Sequence, residues 1–339
     1  MTEFRVLELF SGIGGMHFAF KCAEIPGFVV AAADINNVAN AVYSHNHPLT
    51  PVMNINIQRL NANKIAKLGA NMVLMSPPCQ PFTRVGNKLD IDDNRTDALK
   101  HICTLMPECD GIEYVLMENV KGFETSRARD HYVETLKTCG FYIREFILSP
   151  TQFGVPNTRH RYYCLARRKR DFNFGNINKI EETWIVKHLP KQVHSIRQIL
   201  QHEDEISTDS YLQYNVLRKR VGLLDIVGPD ALNTNCFTKA YTHYSEGTGS
   251  VLTSLNSDQL KETFDRLKQL RLENAQDLEL LWSLRLRYFT PCEVARLMSF
   301  PESFSFPQET STRQKYRLLG NSINVLVVSE LIKVLCLDN

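Results

Sequence analysis

Short apolar runs alternate with amphipathic stretches through the first half of the chain, and that rhythm predicts strands interleaved with helices. Val6-Leu7-Glu8-Leu9-Phe10 reads as a first strand, which ends in the turn Ser11-Gly12-Ile13-Gly14-Gly15. Met16, Phe18, Ala19, Phe20 and Ala23 then mark a helix packed on a sheet. Phe28 to Ala33 gives a second strand ending at Asp34, Val38 to Tyr43 a helix, and Asn54 to Ile57 the end of a short third strand. A helix closing over Ile65 to Leu68 precedes the fourth strand, Met72 to Met75. From Gln80 to Thr96 the chain turns polar, which predicts a long functional loop. Ala98 to Met106 is helical, and Tyr114 to Met117 is a fifth strand that delivers Glu118, Asn119 and Val120 at its carboxyl end. Asp130 to Lys137 returns to helix, while Phe141 to Leu148 and Tyr162 to Ala166 return to strand. The fold class is therefore α/β, a doubly wound, mostly parallel sheet with helices on both faces.

Beyond about residue 168 the alternation stops. Ser257 is the expected N-cap of an amphipathic helix carrying Leu260, Phe264, Leu267 and Leu270, read as core packing. The tail shows helical periodicity over Cys292 to Met298 and Val325 to Leu335, separated by Leu319-Gly320-Asn321-Ser322. The expected organisation is one domain made of residues 1–185 and 289–339, with a smaller domain, 186–288, between them.

Composition narrows the function classes. A chain of 339 residues with 43% hydrophobic content is long enough for a large core and a second lobe. Its formal net charge of +2 sets up no global basic field, so a nucleic-acid partner needs local patches such as Arg167 to Arg170 or Arg218-Lys219-Arg220. Solvated charged faces are the alternative reading of both runs. Nine cysteines without CxxC pairing argue against a disulfide framework and against a zinc site, so no metal is expected and a reducing compartment is. The N-terminus reads as no secretory signal, and no apolar run approaches the roughly 20 residues of a membrane span. The expected location is the cytoplasm, with the nucleus as a second one, and the expected state is a monomer with no membrane association.

Two features carry chemistry. In Ser76-Pro77-Pro78-Cys79-Gln80-Pro81-Phe82 the prolines fix φ and force a rigid extended turn after a buried strand, presenting Cys79 where open α/β sheets hold ligands. A small buried hydrophobe is the alternative reading of that cysteine. The glycine turn 11–15 is followed by Asp34, about 20 residues on, where such folds place a carboxylate on a ribose. His17 stands where a third glycine would complete the dinucleotide fingerprint, so a nucleoside cofactor without phosphates fits better. Separate strands bring Cys79, Glu118, Arg159 and Arg161 to the carboxyl edge of one sheet. Taken singly, the carboxylate could be solvated and the arginines could form ordinary ion pairs.

Five motifs in order, Phe10 to Gly15, Pro77-Pro78-Cys79, Glu118-Asn119-Val120, Gln152 to Arg161 and Gly320-Asn321-Ser322, resemble those of the cytosine-5 methyltransferases. Asn235-Cys236-Phe237-Thr238-Lys239-Ala240-Tyr241 and Glu246-Gly247-Thr248-Gly249-Ser250 resemble the signature of the small eukaryotic branch that acts on aspartate transfer RNA. The resemblance implies a methyltransferase of Rossmann-like fold with a target-recognition domain. It implies S-adenosylmethionine as cofactor, giving S-adenosylhomocysteine as product. Phe10, Ser11, Gly12, Ile13, Gly14 and Gly15 would surround its amino-acid end, Asp34 its ribose, and Ile35, Asn56, Ile57, Ser76 and Pro78 its adenosine, with Asn321 and Ser322 closing the pocket. Asn56 departs from the acid that many relatives carry there.

The implied catalytic residues are Cys79, Glu118, Arg159 and Arg161, and the implied substrate contacts are Gln80, Asn119, Cys236, Thr238, Lys239 and Tyr241. Cytosine carbon-5 is a poor nucleophile until a thiolate adds at carbon-6, and a thiol is the side chain suited to that addition. Glu118 would then protonate ring nitrogen-3 while Arg161, with Arg159 nearby, holds the carbonyl oxygen. The Gln80 to Thr96 loop is expected to close over the flipped base. For Cys236, a packed cysteine near the site is favoured over a second nucleophile. The expected partner is transfer RNA, through an anticodon-loop cytosine, with weak DNA binding beside it. DNA cytosine-5 methylation is the alternative.

Overall fold

The computed structural model describes residues 3–78, 91, 93–176, 179–185, 192–244, 246–268 and 275–336. The first half alternates as its pattern predicts: β1 (Phe4–Leu9), α1 (Gly15–Cys22), β2 (Gly27–Asp34), α2 (Asn37–Asn46), β3 (Val52–Asn54), α3 (Ala62–Leu68) and β4 (Met72–Met75). There follow α4 (Asp97–Leu105), β5 (Tyr114–Val120), α5 (Arg127–Thr138), β6 (Tyr142–Leu148), β7 (Arg161–Arg167) and the short β8 (Ile180–Glu181). These strands form one eight-stranded sheet in the order β3-β2-β1-β4-β5-β7-β6-β8.

Strand alternation sends neighbouring residues to opposite faces, and each face has its own core. Val6, Leu74, Leu116, Tyr163 and Leu165 lie on the face covered by α1 and by the C-terminal helix. Leu7, Val73, Val115, Tyr162 and Cys164 lie on the other, among residues of α3, α4 and α5. The pairs β1–β2, β1–β4, β2–β3 and β4–β5 are parallel, as expected. In contrast, β7 runs antiparallel to both β5 and β6. The connection from β6 to β7 carries one 3₁₀ turn, Pro150–Phe153, and no α-helix, so it reverses the chain instead of crossing the sheet. That reversal brings the amino end of β7, with Arg161, to the carboxyl end of β5.

Two element readings change. The third strand ends at Asn54, because Asn56 leaves the sheet and its side chain caps the 3₁₀ turn Ile57–Arg59. Further on lie α6 (Tyr214–Arg220), β9 (Ile226–Val227), β10 (Val251–Leu252), α7 (Ser257–Leu267), α8 (Ala275–Ser283) and β11 (Arg287–Tyr288). The cap of α7 is Asn256, in a capping box with Gln259, and Ser257 is already the first helical residue. Strands β11, β10 and β9 make a three-stranded sheet over a small core of Leu212, Leu217, Val251, Leu267, Leu281 and Leu286.

The tail forms α9 (Pro291–Leu297), α10 (Thr312–Gly320) and α11 (Val325–Cys336). Helix α10 escaped the periodicity reading. Together 312–336 is long and apolar enough, by length and composition, to cross a bilayer, a stretch the sequence reading did not register. Here 67% of its apolar window is buried, and residues 321–324 break the helix, so it packs as core against α1.

Where α10 ends, the segment at Thr238 and Lys239 packs against it. A Cβ built on Gly320 would lie 2.2 Å from Lys239 N and 2.3 Å from Thr238 C, both backbone atoms that cannot swing aside. Gly320→Ala is therefore expected to destabilise the fold by about 1–3 kcal/mol, the usual range for an overpacked contact. Gly222→Ala, with nothing within 4 Å of its Cβ, should leave stability near wild type. Urea unfolding of the two variants checks the contrast.

Candidate active site

The glycine turn is held by the strand ends beside it. Phe10, Gly12 and Gly14 all adopt positive φ, at 54°, 52° and 83°. Gly14 has a second reason to be glycine: a Cβ there would lie 2.7 Å from the His47 ring. Asp34 Oδ2 accepts the Gly12 N–H at 2.9 Å and Oδ1 accepts the Asn36 N–H at 2.8 Å. Each carboxylate oxygen thus keeps acceptor capacity for a hydroxyl. A cavity of about 610 Å³ opens over this turn. Phe10, Ser11, Gly12, Ile13, Gly15, Asp34, Ile35, Asn56, Ile57, Ser76, Pro78, Asn321 and Ser322 all line it.

Beneath the turn lies a buried polar chain that the sequence reading missed. Glu8 Oε2 accepts the Tyr43 hydroxyl at 2.9 Å, and His17 Nδ1 lies 2.9 Å from that hydroxyl. The His17 ring stacks on His47 at 3.7 Å. Burial pushes the Glu8 carboxyl up to about 8, the Tyr43 hydroxyl bond opposing it, and pushes His17 down to about 2 and His47 down to about 4. The residue that spoils the dinucleotide fingerprint is therefore a neutral core histidine.

The catalytic candidates meet at the far side of the same cavity, which Glu118, Arg159 and Arg161 line. Register places Arg161 opposite Val120 and Tyr163 opposite Glu118, so Arg161 and Glu118 are diagonal neighbours on one face. Arg161 Nε stands 3.3 Å from Glu118 Oε1. Burial raises the Glu118 carboxyl above its ordinary range, against the pull of Arg161 and Arg159. Arg159 precedes β7 and is 3% exposed. Its Nη1 donates to the Phe237 carbonyl at 3.0 Å and lies 3.3 Å from Cys236 Sγ. Its Nη2 donates to the carbonyls of Gly320 and Ser322. Arg159 thus works mainly as a clasp between three segments, and only its Nε lacks a protein partner. Arg161 Nη2 reaches the same Cys236 sulfur at 3.8 Å.

Several expected site residues lie elsewhere. Asn119 follows Glu118 in β5 and so faces the opposite side of the sheet; it is 1% exposed and absent from the cavity wall, which corrects its reading as a substrate contact. Tyr241 is likewise corrected. It is buried, its hydroxyl donates to the Ser250 carbonyl at 2.6 Å and accepts the Phe289 N–H at 2.9 Å, and its ring packs on Phe237 and Tyr316. Gly14 shapes the turn without lining the cavity. Thr238 and Lys239 flank Gly320 outside the cavity wall, with Lys239 exposed. Cys79, Gln80 and most of the 80–96 loop lie outside the described residues.

In the basic run 167–170, Arg167 and Arg168 are held by the fold while Lys169 and Arg170 are exposed. Arg167 stacks over Phe172 and donates to the Arg170 carbonyl, Arg168 bonds the carbonyl of Asp110, and Lys169 pairs with Glu113. In the second run Arg220 pairs with Glu246, leaving Arg218 and Lys219 exposed. The cavity also uses Asn36, Gln58, Leu318 and Ile323, which neither motif nor periodicity singled out, and Met16, which periodicity marked only as helix packing.

Residues 4–336 match the family model described as C-5 cytosine-specific DNA methylase. A Spodoptera frugiperda protein named tRNA (cytosine(38)-C(5))-methyltransferase is 43% identical over 337 residues, covering 98% of this chain and 98% of that one. The Homo sapiens protein of the same name is 38% identical, covering 99% of this chain and all of its own length. A crystal structure of a Spodoptera frugiperda DNMT2 variant superposes with a TM-score of 0.88, covering 98% of this chain and 99% of the other.

Glu8 gives this region a pH signature. A carboxyl held near 8 when folded, against an ordinary 4.5, keeps a proton that the unfolded chain releases. Its stabilising contribution is therefore full at low pH and lost as pH rises towards about 8. Glu8→Gln retains an acceptor for Tyr43 but cannot titrate. The unfolding free energy of wild type minus variant should fall between about pH 4.5 and 8 and then level off; parallel curves in urea titrations would show that Glu8 does not titrate in this window.

Proposed function

Because the chain belongs to the C-5 cytosine-specific methylase family, we propose that this cytosine-5 methyltransferase acts on transfer RNA, at cytosine 38 of the anticodon loop, with aspartate transfer RNA as its substrate. The names of its full-length relatives support the transfer RNA reading, and the pairing of Glu118 with Arg161 at the edge of the cavity carries the chemistry. The DNA methylase description of the family keeps duplex DNA as the rival substrate.

The cavity fits an adenosyl cofactor with a free amino-acid end. The anchored Asp34 carboxylate suits a pair of vicinal hydroxyls, the 66% exposed Ile35 offers an apolar face, and the buried Ser11 hydroxyl lacks a protein partner. S-adenosylmethionine, when bound, supplies an electrophilic methyl group. Asn321 and Ser322 would line the wall beside Gly15.

Cys79 would add its sulfur to cytosine carbon-6, following Ser76, Pro77 and Pro78 out of β4 at the cavity wall. A raised carboxyl at Glu118 is suited to give a proton to ring nitrogen-3, and Arg161 to hold the carbonyl oxygen as charge gathers there. Carbon-5, made nucleophilic, takes the methyl group; it then loses its proton, and the carbon-6–sulfur bond breaks to release Cys79. The domain formed around residues 186–288 would present the loop, whose bases unstack at little cost compared with a duplex.

Transfer of tritiated methyl from S-adenosylmethionine to transfer RNA and to duplex DNA tests the reading. Label should enter transfer RNA, vanish with Cys79→Ala, and fall by about 10²–10⁴-fold with Glu118→Gln. Preferential labelling of DNA, or unchanged labelling by Cys79→Ala, would overturn it.

A further inference from the structure

One side chain at this site has no part in the reaction as written. Cys236 belongs to the second lobe, yet its sulfur sits 3.3 Å from Arg159 Nη1 and 3.8 Å from Arg161 Nη2. Arg159 is 3% exposed and forms no ion pair with a carboxylate among the described residues; its other acceptors are carbonyls of Phe237, Gly320 and Ser322. A buried guanidinium without a counter-charge is costly, and among the described residues the Cys236 thiol is the one ionisable acid hydrogen-bonded to it. Arg161 shares that thiol and also approaches Glu118.

We propose that Cys236 is a positioning residue of this site, a thiolate whose charge engages both guanidinium groups and thereby leaves the Glu118 carboxyl protonated for donation to the base. The inference rests on the methyltransferase reading above and deepens it. With Cys236 ionised and Glu118 neutral, the two arginines and the thiolate carry a net charge of +1. With a neutral residue at 236, Glu118 faces the full +2 and loses its proton more readily, since nearby positive charge favours the ionised carboxyl. Burial alone would raise the Cys236 thiol, but the two arginines outweigh it and bring the thiol below its ordinary range. Burial likewise depresses Arg159, with Arg161 adding to the effect. Among the described residues the other titratable group facing Glu118 is Tyr163 of β7, which burial holds far above neutrality, so it stays uncharged.

The sign of the effect is fixed by the mechanism. Glu118 acts in its protonated form, so activity is present below its pKa and lost as pH rises through it. Removing the thiolate lowers that pKa and moves the alkaline limb of kcat/KM to lower pH. The experiment compares full-length wild type, Cys236→Ser, Cys236→Ala and Cys236→Asp. It follows methylation of transfer RNA against pH, and the Glu118 carboxyl by carbon-13 NMR of glutamate-labelled protein, assigned with Glu118→Gln. The serine and alanine variants should shift both the limb and the carboxyl midpoint down by about one pH unit, roughly tenfold in the protonated fraction. The aspartate variant, which keeps an anion, should restore them. A limb and midpoint unmoved in the serine and alanine variants, whatever their rates, would leave Cys236 a packing residue and overturn the proposal. Failure of wild type to methylate RNA would sink the functional reading instead, while the NMR midpoints still decide the role of Cys236. Should no neutral variant fold, alkylation of Cys236 in wild type, read by mass spectrometry, decides: half-reactivity below about pH 8.5 supports the thiolate, and at or above it rejects it.

Discussion

The site depends on one buried cation. The Arg159 guanidinium joins three stretches far apart in sequence: the turn before β7, the lobe segment at Cys236 and Phe237, and the Gly320 to Ser322 break between α10 and α11. Each stretch brings a different component. The first leads into Arg161 beside Glu118, the second carries the thiol, and the third lines the cavity beside Gly15 of the glycine turn. Asn157 reinforces the clasp by donating to Thr234 Oγ1 and the Asn235 carbonyl. Burying a guanidinium this deeply is tolerable because nearly all its donors are satisfied and a sulfur stands ready to balance its charge.

This arrangement needs the reversed strand. Had β7 run parallel to β5, its amino end would lie at the opposite edge of the sheet, and Arg161 could not meet Glu118. The antiparallel insertion turns an ordinary doubly wound sheet into one whose active edge draws on the carboxyl ends of β1, β2, β4 and β5 and the amino end of β7. Beneath that edge, the Glu8–Tyr43 pair and the stacked His17 and His47 support the glycine turn with neutral groups, so no buried charge competes with the cluster at Glu118.

Much of this was legible in the chain. Period-two and period-3.6 patterns located β1, β2, β4, β5 and β7 to within a few residues, because buried strands flanked by helices read as short apolar runs. Asp34 was legible because it ends a strand, where the next residues must leave the sheet, whereas Glu118 lies two residues inside the end of β5 and was legible from its motif. Asn119 was misread for the same reason that Glu118 was not: motif proximity ignores that adjacent strand residues face opposite ways. Tyr241 was misread because a tyrosine among polar neighbours looks exposed until its hydroxyl finds both partners inside. The clasp at Arg159 was beyond reach, since three backbone carbonyls leave no trace in side-chain identity. The basic run at 167–170 was ambiguous for want of its acceptors, which lie on loops and strands elsewhere.

The most direct test of the account is to trap the addition itself. Transfer RNA bearing cytosine fluorinated at carbon-5 cannot lose a proton there, so the methylated adduct should accumulate as a denaturant-stable protein–RNA complex that needs S-adenosylmethionine. The account predicts this complex for wild type and for Cys236→Ser, with the RNA attached at Cys79, and none for Cys79→Ser. A stable complex formed by Cys79→Ser, or one whose linkage maps to Cys236, would contradict it.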